Sequence, residues 1–138
     1  MTNPGRILVL SLALALPLTL PGCTGGIPTS EGLSVRVEPS EITFTHVVGQ
    51  SPCPQLIGRV KVTNTSRTRT TTDFRSLSPA APLAFGAGRA TTLEPGESVT
   101  VDIFFTCAGR TSFVTTVDVI GENGSGFSQF TVRGTIVQ

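Results

Sequence analysis

Hydrophobic and polar positions alternate along most of the chain from residue 33 onward. The alternation is clear in six segments: 33–38, 42–46, 58–64, 97–105, 113–120 and 130–137. A period of two is typical of β-strands with one buried and one solvated face. Weaker candidates cover 71–77 and 83–85, and no segment shows sustained helical spacing. The pattern predicts an all-β domain.

Turn-forming residues separate these segments. Pro39-Ser40 and Glu94-Pro95-Gly96-Glu97 are examples, and Asn123-Gly124 predicts a hairpin whose flanking glycines indicate a longer loop. About seven to nine short antiparallel strands are typical of an immunoglobulin-like sandwich. We therefore expect an antiparallel immunoglobulin-like β-sandwich over residues 33–138, with a small barrel as the alternative.

Local motifs in this domain resemble a known group of folds. Segments 37–44 and 60–66 resemble the opening strands of PapD-like and ASH/MSP-type immunoglobulin-like domains. Segment 93–105 is similar to their leucine-x-proline-glycine-glutamate turn and the strand that follows it. The resemblance implies the fold far more than the function, because unrelated functions share such folds. Most members of this group are scaffolding, adhesive or assembly modules.

The first residues of the chain differ from the rest. A short polar stretch contains one charge, Arg6, and an apolar run follows at 7–20. At about 1.5 Å per residue a helix of that length spans roughly 21 Å, short of the roughly 30 Å of a bilayer core. Residues 1–22 are therefore predicted to be a secretory signal peptide.

The end of this segment, Leu20-Pro21-Gly22-Cys23, resembles the lipobox of bacterial lipoproteins. The resemblance implies that Cys23 receives a diacylglyceryl group and becomes the new N-terminus. The alternative is an ordinary signal peptide cut near a cysteine. Residues 23–32 are rich in Gly, Ser, Thr and Pro, which is typical of a flexible tether. The domain is then expected outside the cytoplasm, anchored to the cell membrane or the outer membrane.

The chain has three cysteines. With Cys23 lipidated, Cys53 and Cys107 are left to form a disulfide in an exported domain. Cys107 continues the inward alternation of segment 97–105, so its thiol is expected to point into the sandwich. Two buried free thiols are the alternative.

Charge and composition exclude several functions. Ten basic and nine acidic residues give a net charge of +1, which excludes a nucleic-acid footprint. The single histidine, His46, offers little for a metal site or for acid–base chemistry, so no metal, cofactor or catalytic residue is predicted. His46 is expected at a surface or sheet edge. An accessory enzyme or small hydrolase domain using His46 is kept as an alternative.

Arg67 and Arg69 lie among hydroxyl side chains in segment 64–73. If the segment is extended, the two guanidinium groups lie on one side and can bind an anion such as phosphate, sulfate or a uronate. A solvated hairpin is the simpler interpretation. The sequence thus predicts a non-enzymatic, lipid-anchored envelope protein that binds an unknown protein or glycan. A periplasmic assembly or adhesion module acting through strand-edge pairing is the other alternative.

Overall fold

The computed structural model describes residues 27–32, 34–76, 78, 81–121 and 127–138. The described residues form ten strands: β1 (Ser30–Glu31), β2 (Val35–Glu38), β3 (Glu41–Val47), β4 (Gln55–Asn64), β5 (Thr70–Ser76), β6 (Leu83–Phe85), β7 (Thr91–Leu93), β8 (Ser98–Phe105), β9 (Phe113–Ile120) and β10 (Phe127–Val137). The predicted signal peptide, Cys23 and the Asn123-Gly124 turn lie outside this part of the chain.

The strands form two sheets of five strands each. One sheet has the order β1-β2-β4-β8-β6 and the other β3-β10-β9-β5-β7. All described pairs are antiparallel except β3 with β10, which is parallel. Two distinct sheets enclosing one core confirm the predicted sandwich and rule out the barrel alternative.

The apolar residues of the alternating segments form the inner face of each sheet. Val101, Ile103 and Phe105 on β8 are fully buried, as their parity predicts. The largest fully buried side chains are Phe74, Phe105, Phe130, Ile103, Val35, Val37, Val60, Val62, Val101, Val117, Val119 and Val132. Burying each such side chain contributes about 1.5–3 kcal/mol, so this apolar layer dominates the stability of the domain.

Two short strands were not predicted. Thr91–Leu93 pairs with Thr70–Thr72 at the edge of the second sheet. Ser30 and Glu31 pair with Val37 and Arg36, although the sequence assigned residues 23–32 to a flexible tether. That assignment is wrong for these two residues, because backbone pairing with β2 joins them to the sandwich. Both strands have only two or three residues, too few to show alternation.

Among the described residues, no helix is long and apolar enough to cross a membrane.

Candidate functional site

The two sheets end in four edge strands of unequal length. β1 has two residues, and β6 and β7 have three each. β3 has seven residues and, within the described part of the chain, pairs only with β10. Short edges are one way in which proteins prevent unwanted strand pairing. The edge of β3 is the long exception.

Hydrogen bonds to β10 show which backbone groups of β3 face outward. The Thr131 N–H donates to the Ser40 carbonyl and the Val48 N–H donates to the Val137 carbonyl, both at 2.9 Å. In a parallel ladder the N–H and C=O of one residue point to the same neighbour. Even-numbered residues therefore pair with β10, and the N–H and C=O groups of odd-numbered residues face the free edge.

The C-terminal end of this edge is closed by the chain itself. The Val47 N–H donates to Ser51 Oγ at 2.9 Å, and the Ser51 N–H donates back to the Val47 carbonyl at 2.9 Å. Gln55 Nε2 donates to the Thr45 carbonyl at 3.2 Å. The open part, which we call the free edge, therefore runs from Glu41 to the N–H of Thr45.

The side chains along the free edge are polar and exposed. Thr43 Oγ1 donates to Glu41 Oε1 at 3.2 Å, and Arg133 Nε lies 3.4 Å from the same carboxylate oxygen. Glu41, Thr43 and Thr45 are all exposed residues. Thr residues favour extended backbone, so this edge has the geometry to pair with another strand.

His46 occupies the closed end of β3. It is only 5% exposed, and its ring packs edge-on against Phe105 at a centroid distance of 4.9 Å. His46 was expected at a surface or sheet edge: it does lie on the edge strand β3, but its side chain is buried and not on the surface. The side chains of Ile42 and Phe44 are buried, and His46 is the next position on the same face of β3. Its polar Nδ1 can be buried there because it forms a hydrogen bond with Gln55 Oε1 at 2.8 Å.

Cys53 and Cys107 are joined by a disulfide, with their Cα atoms 6.0 Å apart. Cys107 lies beyond the end of β8 and has a positive φ of 64°. The regular alternation of β8 therefore ends before Cys107, although Cys107 still packs against the core. Cys107 is half-buried against the end of the core and Cys53 is exposed, so the disulfide closes one end of the sandwich.

The same end brings Cys107 next to two side chains from the region between β3 and β4, His46 and Cys53. A ring nitrogen of His46 and the sulfurs of Cys53 and Cys107 all lie within 4.8 Å of one another. We call this group the disulfide cluster. It lines an open pocket of about 340 Å³, together with Val48, Gly49, Ser51, Gly109 and Arg110. The sequence offered no spacing signal for this cluster, because Cys107 reaches His46 and Cys53 only where β8 pairs with β4 and the sheet that they form packs against the sheet of β3.

The predicted anion-binding residues lie in the loop between β4 and β5. Residues 66–68 form a bend, so the segment is not extended as the hypothesis assumed. Arg69 Nε lies 3.3 Å from Glu94 Oε1, and both side chains are largely exposed. Arg67 is exposed in the bend. The structure thus gives Arg69 an anionic partner from this chain.

Asn64 organises that loop from inside the protein. Its fully buried side chain donates through Nδ2 to the carbonyls of Thr68 at 2.8 Å and Leu93 at 3.0 Å. Its Oδ1 accepts from the Ser66 N–H at 2.9 Å and from Ser66 Oγ at 2.7 Å. One amide therefore fixes the loop after β4 to the end of β7.

The surroundings of His46 do not favour the hydrolase alternative. The hydrogen-bond partner of its ring is the amide of Gln55. A histidine that acts as a general base is usually oriented by a carboxylate and contacts a nucleophile. Of the described residues, those that touch the ring supply packing, an amide and a disulfide rather than this arrangement.

No protein-family model and no curated protein sequence matches this chain. Solved structures do share its fold. The ASH/PapD-like domain 7 of human CEP192 is 17% identical, has a TM-score of 0.59, and is matched over 97% of this chain and 99% of its own. The YadV chaperone is 7% identical with a TM-score of 0.57, and the alignment covers 75% of this chain and 52% of YadV.

The periplasmic chaperone SfaE is similar to the same degree, at 12% identity and a TM-score of 0.55, over 75% of this chain and 60% of SfaE. The chain thus spans about half of each chaperone that it matches. Identities this low establish the fold alone. The domain has the PapD-like immunoglobulin fold that its sequence motifs resemble.

Proposed function

We propose that this protein is an exported, non-enzymatic component of a bacterial cell envelope, attached to a membrane through lipid on Cys23. Its immunoglobulin-like domain binds a protein partner, and the partner contributes a strand to the free edge of β3. Backbone hydrogen bonds then supply the affinity, and the side chains beside them supply the specificity.

The observation that carries this proposal is the contrast among the four edges. Three are strands of two or three residues, while β3 has seven, with outward backbone groups between Glu41 and Thr45. A long edge left open is a hazard for aggregation unless it serves pairing. The exposed salt bridge between Glu41 and Arg133 places charged groups beside this edge.

Two further observations support it. The YadV chaperone and the periplasmic chaperone SfaE are among the solved structures of the same fold, which favours a protein partner for this domain as well. The Cys53–Cys107 disulfide fits an oxidising compartment outside the cytoplasm.

The position of the described N-terminus also fits an anchor at Cys23. The Ser40 N–H donates to the Pro28 carbonyl at 2.9 Å, so residue 28 lies where β3 begins. Four Cα–Cα steps separate Cys23 from Ile27, and they can span at most about 14 Å. A lipid on Cys23 therefore holds the start of the free edge close to the membrane and directs the disulfide end away from it.

The proposal is tested by blocking the edge. Thr43→Pro removes an outward N–H and leaves the bonds to β10 intact, and proline is tolerated on edge strands. Thr43→Val is the matched control, because it keeps the N–H and the branched side chain. A photo-reactive residue at Thr45 reports the partner by cross-linking in the native envelope.

We expect the wild type and Thr43→Val to cross-link one partner, and Thr43→Pro to reduce that product by at least about tenfold. Circular dichroism and the thermal midpoint verify that each variant is folded. A folded Thr43→Pro variant that captures the same partner as well as the wild type would disprove strand addition at β3.

A further inference from the structure

The disulfide cluster contains more chemistry than a structural bridge requires. A disulfide needs no polar neighbour, yet the buried imidazole of His46 lies beside it. His46, Cys53 and Cys107 present one nitrogen and two sulfurs within 4.8 Å of one another. Nitrogen and sulfur donors are the ligands that zinc prefers in proteins.

The ring of His46 is held in a defined tautomer. Gln55 Nε2 donates to the Thr45 carbonyl at 3.2 Å, which turns Gln55 Oε1 toward the ring. Nδ1 lies 2.8 Å from that oxygen, which can only accept, so Nδ1 carries the proton. In the neutral ring Nε2 then has a free lone pair. A hydrogen bond from the other ring nitrogen in this way is typical of metal-binding histidines.

The cluster is accessible from outside. Cys53 is exposed, and the pocket of about 340 Å³ opens beside it. An external dithiol can therefore reach the Cys53 sulfur, and the pocket has room for a cation with a further water ligand.

We propose that reduction of the Cys53–Cys107 disulfide converts the cluster into a zinc-binding site with two thiolates and one imidazole. An external dithiol reduces the bridge: its two sulfurs become a disulfide, and its two electrons and two protons pass to Cys53 and Cys107. Zn²⁺ then displaces the two thiol protons and binds both thiolates and His46 Nε2. A water molecule in the pocket completes the tetrahedral coordination.

The charge and size of the site fit this cation. Zn–S bonds of about 2.3 Å and Zn–N bonds of about 2.0–2.1 Å place the donors of a tetrahedral site roughly 3.5–3.8 Å apart. The cluster already holds its donors within 4.8 Å, and reduction frees the two sulfurs to separate. Two thiolates neutralise Zn²⁺, so the guanidinium of Arg110 in the same pocket meets no net positive charge.

The test uses the chain reduced by a dithiol, freed of excess reductant and kept without oxygen. Zn²⁺ is titrated calorimetrically, and Co²⁺ serves as the spectroscopic probe because thiolate ligation produces a charge-transfer absorption. His46→Phe removes the nitrogen ligand and keeps an aromatic ring against Phe105. Val48→Ala, on the pocket wall, is the matched control.

We expect the reduced wild type and Val48→Ala to bind one Zn²⁺ per chain, and the oxidised protein to bind none. His46→Phe should lower the affinity at least about 100-fold, and Gln55→Ala, which releases the ring, by about 10-fold. Cys53→Ser should abolish the Co²⁺ charge-transfer signal of the site.

Two results overturn the proposal: no binding by the reduced wild type, or equal Zn²⁺ affinity in His46→Phe and the wild type. If reduction unfolds the chain, Zn²⁺ must restore the circular-dichroism spectrum of the wild type and not that of His46→Phe. Failure of that restoration overturns the proposal equally.

Discussion

Gly134 lies against the ring of Phe44. A Cβ atom at position 134 would stand 2.7 Å from Phe44 Cζ and 2.8 Å from Phe113 Cε1. Phe44 also packs on Phe105 and Phe113, at centroid distances of 5.3 and 5.9 Å. Because Gly134 has no side chain, β10 leaves space in which the rings of Phe44, Phe105 and Phe113, from both sheets, pack together.

Gly134→Ala should destabilise the domain by about 1–3 kcal/mol, because the added methyl group forces the rings of Phe44 and Phe113 to shift. Denaturant unfolding measures the change. Thr135→Ala, at the exposed neighbouring position, is the control and should change the free energy of unfolding by less than about 0.5 kcal/mol. Equal effects of the two substitutions would contradict the packing argument.

Alternation predicted the core of the sandwich well, because the side-chain period of a strand is fixed by its backbone. It placed Val101, Ile103 and Phe105 inside, and all three are fully buried. It did not predict that β8 ends before Cys107, where φ is positive and the residue is only half-buried at the end of the core. For His46 the prediction of a sheet edge was correct, whereas the prediction of a surface side chain was not, because the side chain follows Ile42 and Phe44 into the core.

The candidate site was harder to predict than the core. The free edge exists because β3 is the outermost strand of its sheet. The order of strands in a sheet cannot be predicted from the sequence of one strand. Likewise, Cys107 meets His46 and Cys53 only through contacts between strands that are distant in sequence. Local patterns predict elements and faces, whereas sites built across strands require the topology.

Asn64→Ala should lower the free energy of unfolding by at least about 2 kcal/mol. The substitution removes four hydrogen bonds and leaves the buried Leu93 carbonyl without its side-chain donor, at about 1–3 kcal/mol for each unpaired group. Chemical denaturation of Thr65→Ala, at the exposed next position, provides the comparison. A loss no greater than that of Thr65→Ala would show that the loop holds its shape without Asn64.

Loss of the disulfide should cost about 4 kcal/mol in the chain-entropy model, because the bridge closes a loop with a sequence separation of 54. Cys53→Ala/Cys107→Ala removes it without leaving a free thiol. Thermal and denaturant unfolding of this variant and the wild type measure the difference. Mass mapping of exported protein without reductant should also find the two cysteines linked, and alkylation of both as free thiols would contradict this.

Cys23→Ser should release the protein from membranes and abolish incorporation of labelled palmitate. The expectation follows from the proposed lipid anchor, since the mature part has no polybasic segment to bind anionic headgroups. Fractionation of cells expressing either form measures it. Wild-type protein that never incorporates palmitate yet stays on the membrane would require another mode of attachment.

Arg67→Ala/Arg69→Ala should leave binding to anionic envelope polymers unchanged at physiological salt. Arg69 already lies 3.3 Å from Glu94 Oε1, and an exposed pair of this kind contributes at most about 1 kcal/mol. One remaining exposed cation, Arg67, attracts a polyanion only within a Debye length of about 8 Å. A binding screen at low and physiological salt tests this, with Arg59→Ala/Arg75→Ala as the control for loss of two exposed charges. If the first variant alone loses binding that the wild type retains at physiological salt, the loop is an anion site and Glu94 is displaced from Arg69 when the polymer binds.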